Sequence, residues 1–206
     1  MLTKEELKII ELFKKNLLKS YTIREIQKAI AKQSYNWVFK AVKKLELSKI
    51  IEIRMKGHSS LCSLDINDNL ALIYLSLIEE FALRRKKLPT QNIAELIGSI
   101  PLSYFTFIVA GSFAQGKATK KSDLDIVVIV EDGINTSKIL AILKNKGELM
   151  IPEAHPYVFT KSEFLQMLMS HEENYGKMVY RNRLIAFGAH NYYLIIREAI
   201  KNGFKG

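Results

Sequence analysis

The chain has 206 residues, 48% hydrophobic and 25% charged. That is enough apolar mass for one sizeable core or two small ones, and too much for a disordered chain. One cysteine, Cys62, excludes an intrachain disulfide framework and a cysteine-based zinc cluster, and it reads as a small apolar residue. The net charge of +10 is uneven: residues 1–67 hold 14 Lys/Arg against 7 Asp/Glu, and residues 89–206 hold 13 against 11. The N-terminal third is therefore where a polyanion would be attracted.

TKEELKIIELFKKNLLKS breaks its apolar positions with charges and sets Leu7, Ile10, Leu12, Phe13 and Leu17 near helical spacing. It reads as an amphipathic helix, not a secretory leader. Thr22 with Glu25 three residues on is a capping-box pattern, and a short helix is expected through IREIQKAIA. Ser34 is placed to cap a third helix, YNWVFKAVKKLEL, with Val38, Val42 and Leu45 inward and Lys40, Lys43 and Lys44 outward. IIEIRMKGHSSLCSLDI then alternates and turns at Lys56–Gly57–His58, as a hairpin does.

Three helices and a hairpin in this order resemble a winged helix-turn-helix domain, expected over residues 1–67. The resemblance implies double-stranded DNA or another nucleic acid as partner. Gln33, Tyr35 and Asn36 are the base-side candidates, and Lys40, Lys43, Lys44, Lys56 and His58 the backbone candidates. Trp37 is assigned to packing.

Residues 68–88, within NDNLALIYLSLIEEFALRRKKL, predict a connecting helix capped by Asn67 or Asp68, with a basic end and Pro89 beyond it. Its side bearing Leu72, Leu75, Ile78 and Leu83 packs on a neighbour or pairs with a second subunit, giving a homodimer. Residues 89–206 follow as a third piece. In it TQNIAELIGSIP reads as a short helix, YFTFIVA as a buried strand, GSFAQG as a turn with a short helix and LDIVVIVE as a second strand. TSKILAILKNKG is a helix and PYVFT a third strand. KSEFLQMLMSHEENYGKMVY is helical, capped by Ser162, carrying His171 and interrupted at Gly176. LIAFGA is extended, and HNYYLIIREAIKNG closes the chain as a helix. The fold class expected is α+β. No apolar run is long enough for a membrane span, so a cytoplasmic protein without membrane contact is the expectation.

The chemistry concentrates in GSFAQGKATKKSDLDIVVI, residues 111–129. Strand alternation points Asp123 and Asp125 the same way at the start of a strand. Two converging carboxylates repel, and a divalent cation shared with phosphate oxygens relieves that repulsion. Gly111 allows a tight turn, Ser112 offers a hydroxyl and nearby N–H groups to phosphate, and Gly116 permits close approach. Lys117, Lys120 and Lys121 suit either triphosphate steering or solubility. The spacing is not that of the GxxxxGK[ST] phosphate loop.

Gly111, Ser112, Gly116, Ser122, Asp123 and Asp125 in this order resemble the signature of the nucleotidyltransferase superfamily shared by DNA polymerase beta and the minimal nucleotidyltransferases. The resemblance implies transfer of a nucleoside monophosphate from an NTP, with ATP favoured, to an unknown acceptor, releasing pyrophosphate. It implies two Mg²⁺ (or Mn²⁺) ions on Asp123 and Asp125. Gly111, Ser112, Gly116, Lys121 and Ser122 would bind nucleotide.

Active members supply a third carboxylate from a later strand. LMIPEAHPYVFTKSEF holds no aspartate; Glu153 is the substitute, as catalytic residue and metal ligand, with His155 a weaker base or polar contact. Three readings stay open: an enzyme using Glu153, a DNA-binding regulator whose nucleotide domain no longer catalyses, and, ranked below them, two modules that serve as protein-interaction surfaces.

Overall fold

Several helices begin where the sequence supplies a cap. In the computed structural model, which describes residues 2–57 and 59–206, Thr3–Glu6 and Thr22–Glu25 form reciprocal capping boxes on α1 (Lys4–Lys14) and α2 (Ile23–Ala29). Between these helices lies β1 (Tyr21–Thr22), too short to show a period in sequence. Ser34 Oγ accepts the Trp37 N–H at 3.2 Å at the start of α3 (Tyr35–Leu47). β2 (Ile51–Lys56) pairs antiparallel with β3 (Ser59–Leu64), and β1 pairs with the other edge of β3.

The chain divides into two compact units, residues 1–78 with 205–206, and residues 79–204. In the first, Ile9, Ile10 and Phe13 of α1 are buried, as are Ile23 and Ile26 of α2 and Val38, Ala41, Val42 and Leu45 of α3. Leu7 and Leu12 are only half-buried, so the inward stripe of α1 is rotated from the expected one to include Ile9. Trp37 is half-buried beneath the Lys32 ammonium, 4.8 Å from its ring centre.

α4 (Asn69–Arg84) is capped by Asp68, whose Oδ1 accepts from the N–H groups of Leu70 and Ala71 at 2.8 and 3.3 Å. The division between units falls inside this helix, after Ile78. Leu72, Leu75 and Ile78 are buried, whereas Leu70, Ile73 and Leu77 face solvent. Among the described residues, no helix is long and apolar enough to cross a membrane.

The second unit contains α5 (Thr90–Ser99), β4 (Phe105–Val109), α6 (Gly111–Gln115), β5 (Leu124–Val130), α7 (Thr136–Gly147) and β6 (Ala154–Thr160). α8 (Lys161–Met169), α9 (Tyr175–Arg181), β7 (Leu184–Phe187) and α10 (Ala189–Lys201) complete it. The sheet order is β6-β5-β4-β7, with β5 and β6 parallel and the other neighbours antiparallel. On one sheet face Phe105, Phe107, Val109, Ile126 and Val128 pack with Ile93 and Leu96 of α5 and Ile139 and Leu143 of α7. α8 and α10 contact the strands as well, and Phe164, Tyr192 and Ile196 of these helices are buried. Covering on both faces accounts for the unbroken apolar run of β5.

Three local expectations change. The helical interruption lies at residues 170–174, which carry His171, and Asn174 caps α9. Gly176 sits inside α9 because a Cβ there would come within 2.6 Å of Met167 Cβ; it serves close helix packing, not a break. α8 is capped by a Thr160–Glu163 box; Ser162 instead donates from N–H and hydroxyl to Asp132 at 3.0 and 2.7 Å.

A buried polar cluster ties the start of this unit to its end. Tyr193 donates to Glu79 Oε1 at 2.6 Å, and the Arg183 guanidinium lies 3.7 Å from the same oxygen and 4.8 Å from the Tyr192 ring centre. Arg183 also donates to the Tyr180 carbonyl. Burial, with the Glu79 charge adding, drives the Tyr193 phenol well above its ordinary value, so it stays a donor.

Candidate active site

β4 ends at Val109; the next residue, Ala110, donates its N–H to the Asp125 carbonyl at 2.9 Å, and the chain turns at once into α6. The turn needs Gly111 at φ +57. A Cβ on Gly111 would lie 1.9 Å from Asp125 Oδ2, so the missing side chain is also the space that the carboxylate occupies. At the other end of α6, Gly116 takes φ +71, and the Lys117 N–H donates to the Ser112 carbonyl at 2.9 Å.

Asp123 is half-exposed just ahead of β5, and Asp125 is the second residue of that strand. Burial raises the Asp125 carboxyl above its ordinary value; His155 opposes the shift and the Asp123 charge adds to it. Across the parallel β5–β6 pair, the residue opposite Asp125 is His155. Glu153 lies just before β6, and its carbonyl accepts the Leu124 N–H at 2.8 Å. The imidazole stands between two carboxylates, Nδ1 4.0 Å from Asp123 Oδ2 and Nε2 3.6 Å from Glu153 Oε1. The structure thus brings Gly111, Ser112, Asp123, Asp125, Glu153 and His155 to one strand mouth.

The loop residues are less uniform. Lys121 is exposed, but Ser122 Oγ accepts the Thr119 N–H at 2.8 Å and so braces its own loop. Sequence reading passed over Tyr157, two residues along β6 from His155, and Tyr175 at the start of α9. Their rings lie 4.8 Å apart, and Tyr157 remains 44% exposed, so an aromatic surface borders the carboxylates. Burial, then the Asp125 charge, raises the Tyr175 phenol, which stays protonated.

Among the described residues, no three His, Cys, Asp or Glu side chains form a ready metal cage. The carboxylate pair still fits a hard divalent ion that draws its remaining ligands from phosphate oxygens and water. Asp125 is held against Gly111 in a partly desolvated position, where a second negative charge is already unfavourable.

In the first unit, Gln33, Tyr35, Asn36, Lys40 and Lys43 are exposed, and Lys56 is exposed at the end of β2. Lys43 pairs with Glu46 at 2.8 Å on the same helix. Lys44 is exposed as well, and its ammonium reaches α1 to meet buried Glu6 at 2.8 Å. Burial opposes ionisation of Glu6, yet Lys44 and Thr3 hold its carboxyl below its ordinary value. His58 lies outside the described residues. A cleft of about 380 Å³ lined by Thr22, Ile23, Arg24, Tyr35, Ser59 and Ser60 adds an arginine that sequence reading had not singled out.

Residues 103–182 match the family model described as the nucleotidyltransferase domain. The matched segment contains the whole strand-mouth group, and over those residues the chain is similar to nucleotidyltransferase domains. Domains of this kind generally use NTP substrates and divalent metal ions. Comparison with curated proteins and with solved structures returns no match.

Because the folded-state pKa of Asp125 is raised, ionising it costs stability as pH climbs from the unfolded value through the folded one. With chelator present, Asp125→Asn is expected to melt at a higher temperature than the unmutated chain at pH 7. The gap should close below about pH 3, where both states hold the proton. Equal melting temperatures at pH 7 would contradict the burial argument.

Proposed function

We propose that the chain is a nucleotidyltransferase that moves a nucleoside monophosphate from an NTP, with ATP favoured, to an acceptor hydroxyl. The observation that carries this reading is the pair Asp123 and Asp125 at one strand mouth, with Asp125 filling the space left by Gly111. Asp123 and Asp125 would hold Mg²⁺ or Mn²⁺, which when bound supplies charge neutralisation for the triphosphate and the leaving pyrophosphate. Gly111, Ser112 and the N–H groups opening α6 orient the phosphates, with Gly116 and Lys121 further along the loop. The acceptor oxygen forms a bond to the α-phosphorus as the bond to the β-phosphate bridge breaks. His155 Nε2 takes the acceptor proton, and Glu153, 3.6 Å away, stabilises the resulting imidazolium. Glu153 is thus assigned a part in acceptor activation through His155, while its direct contact with a metal remains the third-carboxylate alternative.

Residues 1–67 are proposed to form a winged helix-turn-helix that binds double-stranded DNA or another nucleic acid. The side of α3 with Asn36, Lys40 and Lys43 would face it, with Gln33 and Tyr35 at its start and Lys56 on the wing. The support is order and exposure: three helices, a hairpin, and these side chains outward. A homodimer would use the α4 side carrying Leu70, Ile73 and Leu77, since Leu72, Leu75 and Ile78 are buried within the chain. We place the chain in the cytoplasm.

A second reading is favoured by one observation, the histidine opposite Asp125 on the later strand, from which active members supply a carboxylate. It makes the second unit a nucleotide-binding regulator of the DNA-binding one.

Incubation with Mn²⁺, α-labelled NTPs and mixed RNA and protein acceptors separates the two. Transfer is expected, falling by at least about a thousandfold in Asp123→Ala/Asp125→Ala. NTP binding without transfer across that acceptor set would select the regulator. For the first unit, Lys40→Ala/Lys43→Ala should weaken duplex binding and flatten its salt dependence by about two phosphate contacts, read by fluorescence anisotropy. Lys44→Ala should chiefly lower the melting temperature. Unchanged duplex affinity in the Lys40/Lys43 variant would move the nucleic-acid face off α3.

A further inference from the structure

The geometry points to Lys86, in the turn that follows α4, as a phosphate-binding residue of the α6 loop; this inference rests on the nucleotide reading above. An ideal Cβ on Gly116 would meet Lys86 Nζ at 3.0 Å, the one contact found within 4 Å of it among the described residues. Gly116 therefore does two jobs. Its φ of +71 ends α6, and its missing side chain admits an ammonium from a segment thirty residues upstream.

The approach is built from the core outward. The Lys86 N–H donates to the Leu83 carbonyl at 3.1 Å, which fixes the turn. Leu83 and Leu88, on either side of it, pack against the sheet core of the same unit. Only the side chain is left to reach Gly116. Lys86 is exposed, and its ammonium has no ion-pair partner among the described residues, unlike Arg84, which binds Glu80 at 2.6 Å.

An unpaired ammonium at this place has a defined use. The carboxylate pair stands at one end of α6, where Gly111 meets Asp125, and Lys86 stands at the other. Lys117, Lys120 and Lys121 follow on the exposed loop. A triphosphate whose α-phosphate lies by the carboxylates and whose tail runs along α6 reaches an ammonium with its terminal phosphates. A compact ammonium is a point-charge partner for phosphate oxygens and needs no bidentate geometry. Lys86 is then a specificity residue for the polyphosphate tail, with no part in the proton transfers. The competing structural role is a cation placed against the carbonyl end of α6. It would change stability and not the discrimination between nucleotides.

Isothermal titration of the full chain in Mn²⁺ with ATP, inorganic pyrophosphate and AMP distinguishes these. In Lys86→Ala, ATP and pyrophosphate should bind about tenfold more weakly while AMP binding is unchanged. Lys86→Arg should keep most of the ATP affinity, and Lys87→Ala should match the unmutated chain. Unchanged ATP binding in Lys86→Ala, or equal weakening of ATP and AMP, overturns the role of Lys86 and leaves the nucleotide reading standing. If the unmutated chain binds neither ATP nor pyrophosphate, the nucleotide reading falls and Lys86 falls with it.

Discussion

The strand mouth depends on the space between Gly111 and Asp125. A carboxylate oxygen sits where the smallest chiral side chain would place its Cβ, 1.9 Å away. The backbone at that glycine is also in the left-handed region, which L residues enter at a cost. Both demands fall on one residue, so the turn from β4 into α6 and the placement of Asp125 are a single structural decision. Its electrostatic consequence follows directly. A carboxylate pressed into that space loses water, its neighbour Asp123 repels it, and His155 relieves only part of the strain. A cation with phosphate ligands, as in the function proposed above, would relieve the remainder.

The rest of the second unit holds this arrangement in place. β5 is covered on both faces, so a one-residue slip of the strand would carry Asp125 into the apolar layer beside α5 and α7. The cluster of Glu79, Arg183 and Tyr193 joins the last turns of α4 to β7 and α10 through buried, hydrogen-bonded charge. Such a cluster gains little net energy over apolar packing, but breaking it leaves a buried charge without its partner. It therefore favours one position for the end of α4, and the turn that presents Lys86 begins there.

Much of this was legible in the chain. The Gly-Ser and paired-aspartate pattern, the capping residues Thr22, Ser34 and Asp68, and the order of helices and strands all act over a few residues, where sequence is informative. What escaped depends on contacts between distant segments. The family resemblance implied a third carboxylate, for which Glu153 was the nearest acidic residue, but only the β5–β6 register places His155 opposite Asp125. Lys44 shares the polar pattern of Lys40 and Lys43, yet its helical angle carries it toward Glu6 of α1. Gly176 looked like a break because glycine usually weakens a helix; here it makes room for Met167. The two-residue β1 has no period to detect. No neighbouring residue of Gly116 hints that the group approaching it is Lys86.

The central claim is that Asp123 and Asp125 form a metal–nucleotide site against Gly111. Anomalous diffraction from crystals grown with Mn²⁺ and a non-hydrolysable ATP analogue tests it most directly. The expected result is a manganese peak between the Asp123 and Asp125 carboxylates, with the triphosphate lying along α6. A nucleotide bound elsewhere, or saturating nucleotide with no manganese at that pair, would contradict it.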